Sequence, residues 1–133
     1  MKRILILTAA LFCLLGLAAC QSSGKRVQAT AEQFLNAFYA GEYGEAAVFC
    51  TPAYAARLSK VSAFQRAVPE EIAQKMKEAV NGTSFKIVSV EVDEEAGTAV
   101  VHYALTVPGV EGAVTKQLRL QLEGRTAAVD GIE

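Results

Sequence analysis

Residues 98–123 read TAVVHYALTVPGVEGAVTKQLRLQLE, and the period of this stretch decides the fold. From Thr98 to Val107 every second residue is apolar: Ala99, Val101, Tyr103, Leu105 and Val107 share one face, while Val100, His102, Ala104 and Thr106 share the other. Successive side chains of a strand point to opposite sides, so the pattern predicts a strand over residues 98–107. Pro108 and Gly109 to Gly112 interrupt it as a turn. The alternation then resumes over residues 113–123, with Val114, Leu118, Leu120 and Leu122 on one side and Thr115, Gln117, Arg119, Gln121 and Glu123 on the other. Lys116 alone interrupts the apolar side. Working outward, residues 85–92 form a preceding strand, closed by the turn Asp93-Glu94-Glu95-Ala96-Gly97. Gly124-Arg125 turns the chain into a last short strand over residues 126–132. Four antiparallel strands with one apolar face require a cover.

The residues before Gly82 supply that cover, because their period is helical. Ala31, Phe34, Leu35 and Phe38 fall at i, i+3, i+4 and i+7, one face of a helix over residues 27–40. Thr30 with Gln33 has the spacing of a capping box for a helix that starts later, and Gly41 stands where a C′ residue belongs. A short helix over residues 43–49 follows. Thr51-Pro52 reads as N-cap and first position of a third helix over residues 53–60, with Tyr54 and Leu58 on one side. Pro69-Glu70-Glu71 opens a fourth, over residues 69–80, striped by Ile72, Met76, Ala79 and Val80 and ended by Asn81-Gly82. The expected fold class is α+β: N-terminal helices packed on a curved four-stranded antiparallel sheet, in one domain over residues 27–133.

The start of the chain is of a different kind. Lys2-Arg3 is followed by residues 4–19, apolar except for Thr8 and Gly16, which is the layout of an export signal. As a membrane span the run falls short of the ~20 residues needed, and it meets the polar Gln21-Ser22-Ser23-Gly24. Residues 20–26 are expected to be a short tether. At the junction, Leu17-Ala18-Ala19-Cys20 resembles the lipobox of bacterial lipoproteins. The resemblance implies a signal peptide over residues 1–19, cleavage before Cys20, and acylation of the Cys20 thiol and new amino terminus, so that the membrane is a partner through the lipid. With Gln21 rather than Asp next, it also implies a cell-envelope address at the outer membrane, facing the periplasm. Two or more acyl chains anchor stably where one holds only marginally.

Charge and cysteine usage fit an exported domain. The chain carries a net charge of −1, and removing Lys2 and Arg3 takes it to −3. No basic stripe is present, so nucleic acid is not an expected partner. Of the three cysteines, Cys13 lies in the leader and Cys20 is the lipidation site, leaving Cys50 without a disulfide partner. Cys50 is expected to pack as a small hydrophobe.

Residues Ala31-Glu32-Gln33-Phe34-Leu35-Asn36-Ala37-Phe38-Tyr39-Ala40-Gly41-Glu42-Tyr43-Gly44-Glu45-Ala46-Ala47 resemble the helix–glycine–acid–aromatic opening of the nuclear transport factor 2-like or cystatin-like superfamily, in particular small bacterial lipoproteins carrying such a domain. Thr51-Pro52 and Leu122-Glu123-Gly124-Arg125 match more weakly, and the likeness spans nearly all of residues 29–132. It implies a cone between sheet and helices, within which the enzymes of that superfamily work. Catalysis there needs an ionisable group on the inward face, where the strand pattern offers only Tyr103 and puts His102 on the opposite side. Glu91, Asp93, Glu94 and Glu95 lack the spacing of a calcium loop and read as a solvated turn. No metal and no cofactor are expected. Phe34, Phe38, Tyr54, Val101, Tyr103, Leu118 and Leu120 are candidates to line an apolar pocket with Tyr103 as its polar handle, and packing as core is the favoured alternative for the phenylalanines and tyrosines. The function expected from these features is that of a non-enzymatic, membrane-anchored envelope lipoprotein binding a protein partner or a small apolar ligand. Its alternatives are a cone-pocket enzyme of isomerase or dehydratase type, resting on fold analogy, and a homodimeric scaffold component of an envelope assembly.

Overall fold

A computed structural model describes residues 23–133. The leader, the lipobox Leu17-Ala18-Ala19-Cys20 and Gln21 lie outside the described residues. Helix α1 covers residues 23–39. It is followed by α2, Tyr43–Ala46, which tightens into a 3₁₀ turn, Ala47–Phe49, then by α3, Pro52–Ala67, and α4, Glu70–Val80. Strands β1 (Ser84–Asp93), β2 (Thr98–Thr106), β3 (Val114–Glu123) and β4 (Thr126–Ile132) form one antiparallel sheet in the order β1-β2-β3-β4, a meander that does not close. The α+β architecture is the one expected from the periods of the two halves.

The helix signals act locally as their chemistry requires. Gly41 has φ +78°, a conformation that costs glycine least. Its N–H donates to the Phe38 carbonyl at 3.1 Å and the Glu42 N–H to the Ala37 carbonyl at 2.9 Å, the double bond of a Schellman stop. Thr51 caps α3, its hydroxyl accepting a long bond of 3.5 Å from the Tyr54 N–H, with Pro52 at the first helical position.

The core joins one stripe of α1 to the concave face of the sheet. Val27, Ala31, Phe34 and Leu35 pack with Ala99, Val101, Tyr103, Leu105, Leu118, Leu120 and Val129. Register holds these rows together: Val101 pairs with Leu118, and Ala99 and Val129 flank Leu120. Two bulges adjust the edges of the sheet. On β1 an extra residue, Val88, separates Ile87, opposite Tyr103, from Ser89, opposite His102. Phe85 and Ile87 before it and Val90 and Val92 after it all pack against the core, and Val88 is left 65% exposed. Without the extra residue a period of two would turn one of those pairs outward. The second bulge inserts Asp130 into β4, between the pairs Arg119–Gly131 and Leu120–Val129.

Three sequence expectations are corrected. Residues 23–26 are helical rather than a tether, because Val27 is fully buried and Arg26 is tied to the β3–β4 turn by a 3.0 Å bond from Nη1 to the Arg125 carbonyl. Helix α3 continues to Ala67, past residue 60, with Leu58 its one buried residue. Helix α4 buries nothing: Ile72 is 48% exposed, and Met76 and Val80 are only half-buried. The stripe of α4 is real but is not needed to cover the sheet, because α1, α2 and the start of α3 already fill the concave face.

Candidate functional site

Inside the cone the expected pocket-lining residues are packed together. Phe34, Val101, Tyr103, Leu118 and Leu120 belong to the buried core, and Phe38 and Tyr54 lie partly buried against it. These side chains therefore pack as core, the alternative to lining a pocket. Phe34 stacks on Phe38 with ring centroids 5.4 Å apart and meets Tyr54 at 6.2 Å. Phe38 in turn takes Tyr39 and Tyr43 edge-on at 5.1 and 5.3 Å. Aromatic rings at these separations pack as densely as the rest of a core.

The polar handle is also occupied. Tyr103 is fully buried, and its hydroxyl lies 2.9 Å from the hydroxyl of Tyr39 on α1. Each phenol satisfies the other. Burial pushes both phenols above the ordinary tyrosine range; for Tyr103 desolvation is the main cause and the bond to Tyr39 adds to it. The pairing of Tyr39 with Tyr103, 64 residues away, was not legible in the sequence.

No protein-family model matches the chain, and no curated protein does.

One opening lies beside the cone rather than within it. An open cleft of about 550 Å³ runs between α1, α4 and the start of β1, with Tyr39, Asn36, Gln74, Lys77 and Asn81 among its lining residues. Its polar lining is mixed: the amides of Asn36, Gln74 and Asn81, the opposite charges of Lys77 and Glu78, and hydroxyl groups. This cleft was not found from sequence, because it arises where α4 stands off the core and no local pattern reports that separation.

A second polar cluster holds the open edge of the sheet. The Thr51 N–H donates to the Val129 carbonyl at 2.8 Å, so the chain entering α3 lies along β4. The Thr51 hydroxyl donates to one carboxylate oxygen of Asp130 at 3.0 Å and Gln121 Nε2 to the other at 3.2 Å. The bulge aims Asp130 at this junction, which makes Asp130 a structural clamp. Thr51 is only 6% exposed, so Asp130→Ala leaves a buried hydroxyl without its acceptor. That change is expected to lower unfolding free energy by about 1–2 kcal/mol in urea melts.

The remaining candidates stand apart. Cys50 is half-buried, its thiol donates to the Ala46 carbonyl at 3.3 Å, and burial pushes it up to about 12. A thiol held in that form is a weak nucleophile. His102 sits on the outer face of the sheet, 3.5 Å from the Glu91 carboxylate, which is itself well exposed. Among the described residues no three His, Cys, Asp or Glu side chains are grouped to hold a metal ion. Cys20, the expected lipidation site, lies outside the described residues.

Proposed function

We propose that this protein is a non-enzymatic lipoprotein of the bacterial envelope, anchored through acyl chains on Cys20, whose folded domain binds a protein partner or a small ligand. The observation that carries the reading is the order of the first twenty residues: a cationic start at Lys2-Arg3, an apolar run, then Leu17-Ala18-Ala19-Cys20. The resemblance to a nuclear transport factor 2-like or cystatin-like cone supports a binding role for the domain rather than naming a substrate. In this reading the cone is a support. Its interior is taken up by side chains, and the group beside Tyr103 is another phenol, Tyr39, rather than a carboxylate or imidazole able to act as a base near neutral pH. Binding then falls to the cleft between α1, α4 and β1, whose amides and Tyr39 suit a ligand of mixed polarity better than a purely apolar guest.

Metabolic labelling tests the premise. In a Gram-negative host given radiolabelled palmitate, the full chain is expected to take up label and to fractionate with membranes, and Cys20→Ala is expected to lose both. Label that persists in Cys20→Ala, or a parent chain that takes up none, would remove the anchor from the proposal.

A further inference from the structure

Only Gln21 and Ser22 stand between Cys20 and the first described residue of α1, Ser23. Three residue steps span at most about 11 Å when fully extended. The inference that follows rests on the lipid-anchor reading: with Cys20 at the bilayer surface, the start of α1 lies within about that distance of it. The start of α1 is also part of the folded domain. Arg26 bonds the Arg125 carbonyl, and Ser23 shares one crevice with Asp93, Glu94 and Glu95 and another with Gly124 and Arg125. A meander places the β1–β2 and β3–β4 turns at the same end and the β2–β3 turn at the other. At that other end Gly82 meets Pro108, and the cleft opens beside Ser84.

We infer that the end of the domain formed by the start of α1 and the turns at residues 93–97 and 124–125 is a membrane-facing surface, seated on the phospholipid bilayer, with the α1–α4–β1 cleft held at the opposite end. The nine residues of β2 separate the two ends by about 30 Å. A seven-residue coil in place of the helical start would have a root-mean-square reach of about 15 Å and would let the domain tumble. Charge does not do the seating. This end carries three cations, Lys25, Arg26 and Arg125, against four carboxylates, Asp93, Glu94, Glu95 and Glu123, and so has no net positive charge to draw it to the bilayer. The short covalent connection sets the orientation, which should therefore survive salt.

The test uses the full chain, matured in a Gram-negative host and reconstituted in phosphatidylethanolamine–phosphatidylglycerol vesicles that carry an energy-transfer acceptor on a lipid headgroup. A donor dye is attached at Glu95→Cys or at Val110→Cys, both exposed and on opposite turns. Cys50, its thiol pushed up to about 12, stays protonated at the labelling pH, and the parent chain measures any residual labelling. The dye at position 95 is expected to be quenched about twofold or more over that at position 110, given the ~30 Å between the ends. The difference should persist at high salt, and a flexible Gly/Ser insert of about 15 residues after Ser22 should erase it. Equal quenching at the two positions, stronger quenching at 110, a difference that salt removes or one that the insert leaves intact overturns the orientation. Flotation of the same sample separates the two failures: protein that does not float with the vesicles overturns the lipid anchor itself, and the orientation with it.

Discussion

Leu120→Ala is expected to lower the free energy of unfolding by about 2–5 kcal/mol, and Arg119→Ala beside it by about 0.5 kcal/mol or less. The contrast follows from which way β3 faces. Leu120 is 1% exposed, with Ala99 on one side and Val129 on the other, so truncation removes apolar contacts and leaves a void that a dense core closes only in part. Arg119 points to the outer face. It pairs with Glu133 at 3.2 Å, with both side chains about half exposed, and an ion pair so open to water contributes little. Urea melts of the two variants at neutral pH read the difference directly. Because a slip of one residue in β3 would exchange its two faces, Arg119→Ala as the more damaging change would mean that the core is wrongly assigned.

Raising the pH is expected to destabilise the domain from about pH 9 upward, through groups that the fold keeps protonated. Burial holds the Cys50 thiol up at about 12 and lifts the phenols of Tyr39, Tyr54 and Tyr103 above their ordinary range. In the unfolded chain the thiol titrates near 8.5 and the phenols near 10. Above those values the unfolded chain has shed protons that the folded chain retains, so stability falls as pH rises; below them both states hold the protons and these groups contribute no slope. Each adds at most about 1.4 kcal/mol per pH unit over its window. Melting temperature followed from neutral to strongly alkaline pH should therefore be flat and then decline. Cys50→Ala should remove the earliest part of the decline, and Tyr103→Phe should soften the part above about pH 10. A profile that stays flat well past pH 10 would show that these groups reach water in the folded state.

Much of the architecture was legible because it is written in short-range patterns. The alternation from Ala99 to Leu105 and from Leu118 to Leu122 places both strands and their inward faces, since a side chain's direction in a strand depends only on its parity. The stripe of α1, the Thr51-Pro52 cap and the Gly41 stop are likewise local, each set by a residue and its neighbours within one turn. The candidate site was less legible. Its expected lining residues were correctly read as inward-facing, but spacing along a chain carries no information about whether inward-facing groups enclose a space or fill it.

By itself, then, the sequence determined that this is an α+β domain with helices first and a four-stranded antiparallel sheet after, and it marked the core residues of β2 and, in β3, Leu118 and Leu120; Val114, read on the same face, lies beyond the cover of the helices and is 42% exposed. Tertiary structure alone decided the rest. It placed the bulges at Val88 and Asp130, because an extra residue is visible only against the partner strand. It joined Tyr39 to Tyr103, ran α1 back to Ser23 against two turns, and left α4 standing off to open the cleft. The physical reason is common to all of these. Period and capping report the energies of neighbouring residues, whereas a bulge, a filled cone or an unneeded helix face depends on how much surface distant segments have already covered.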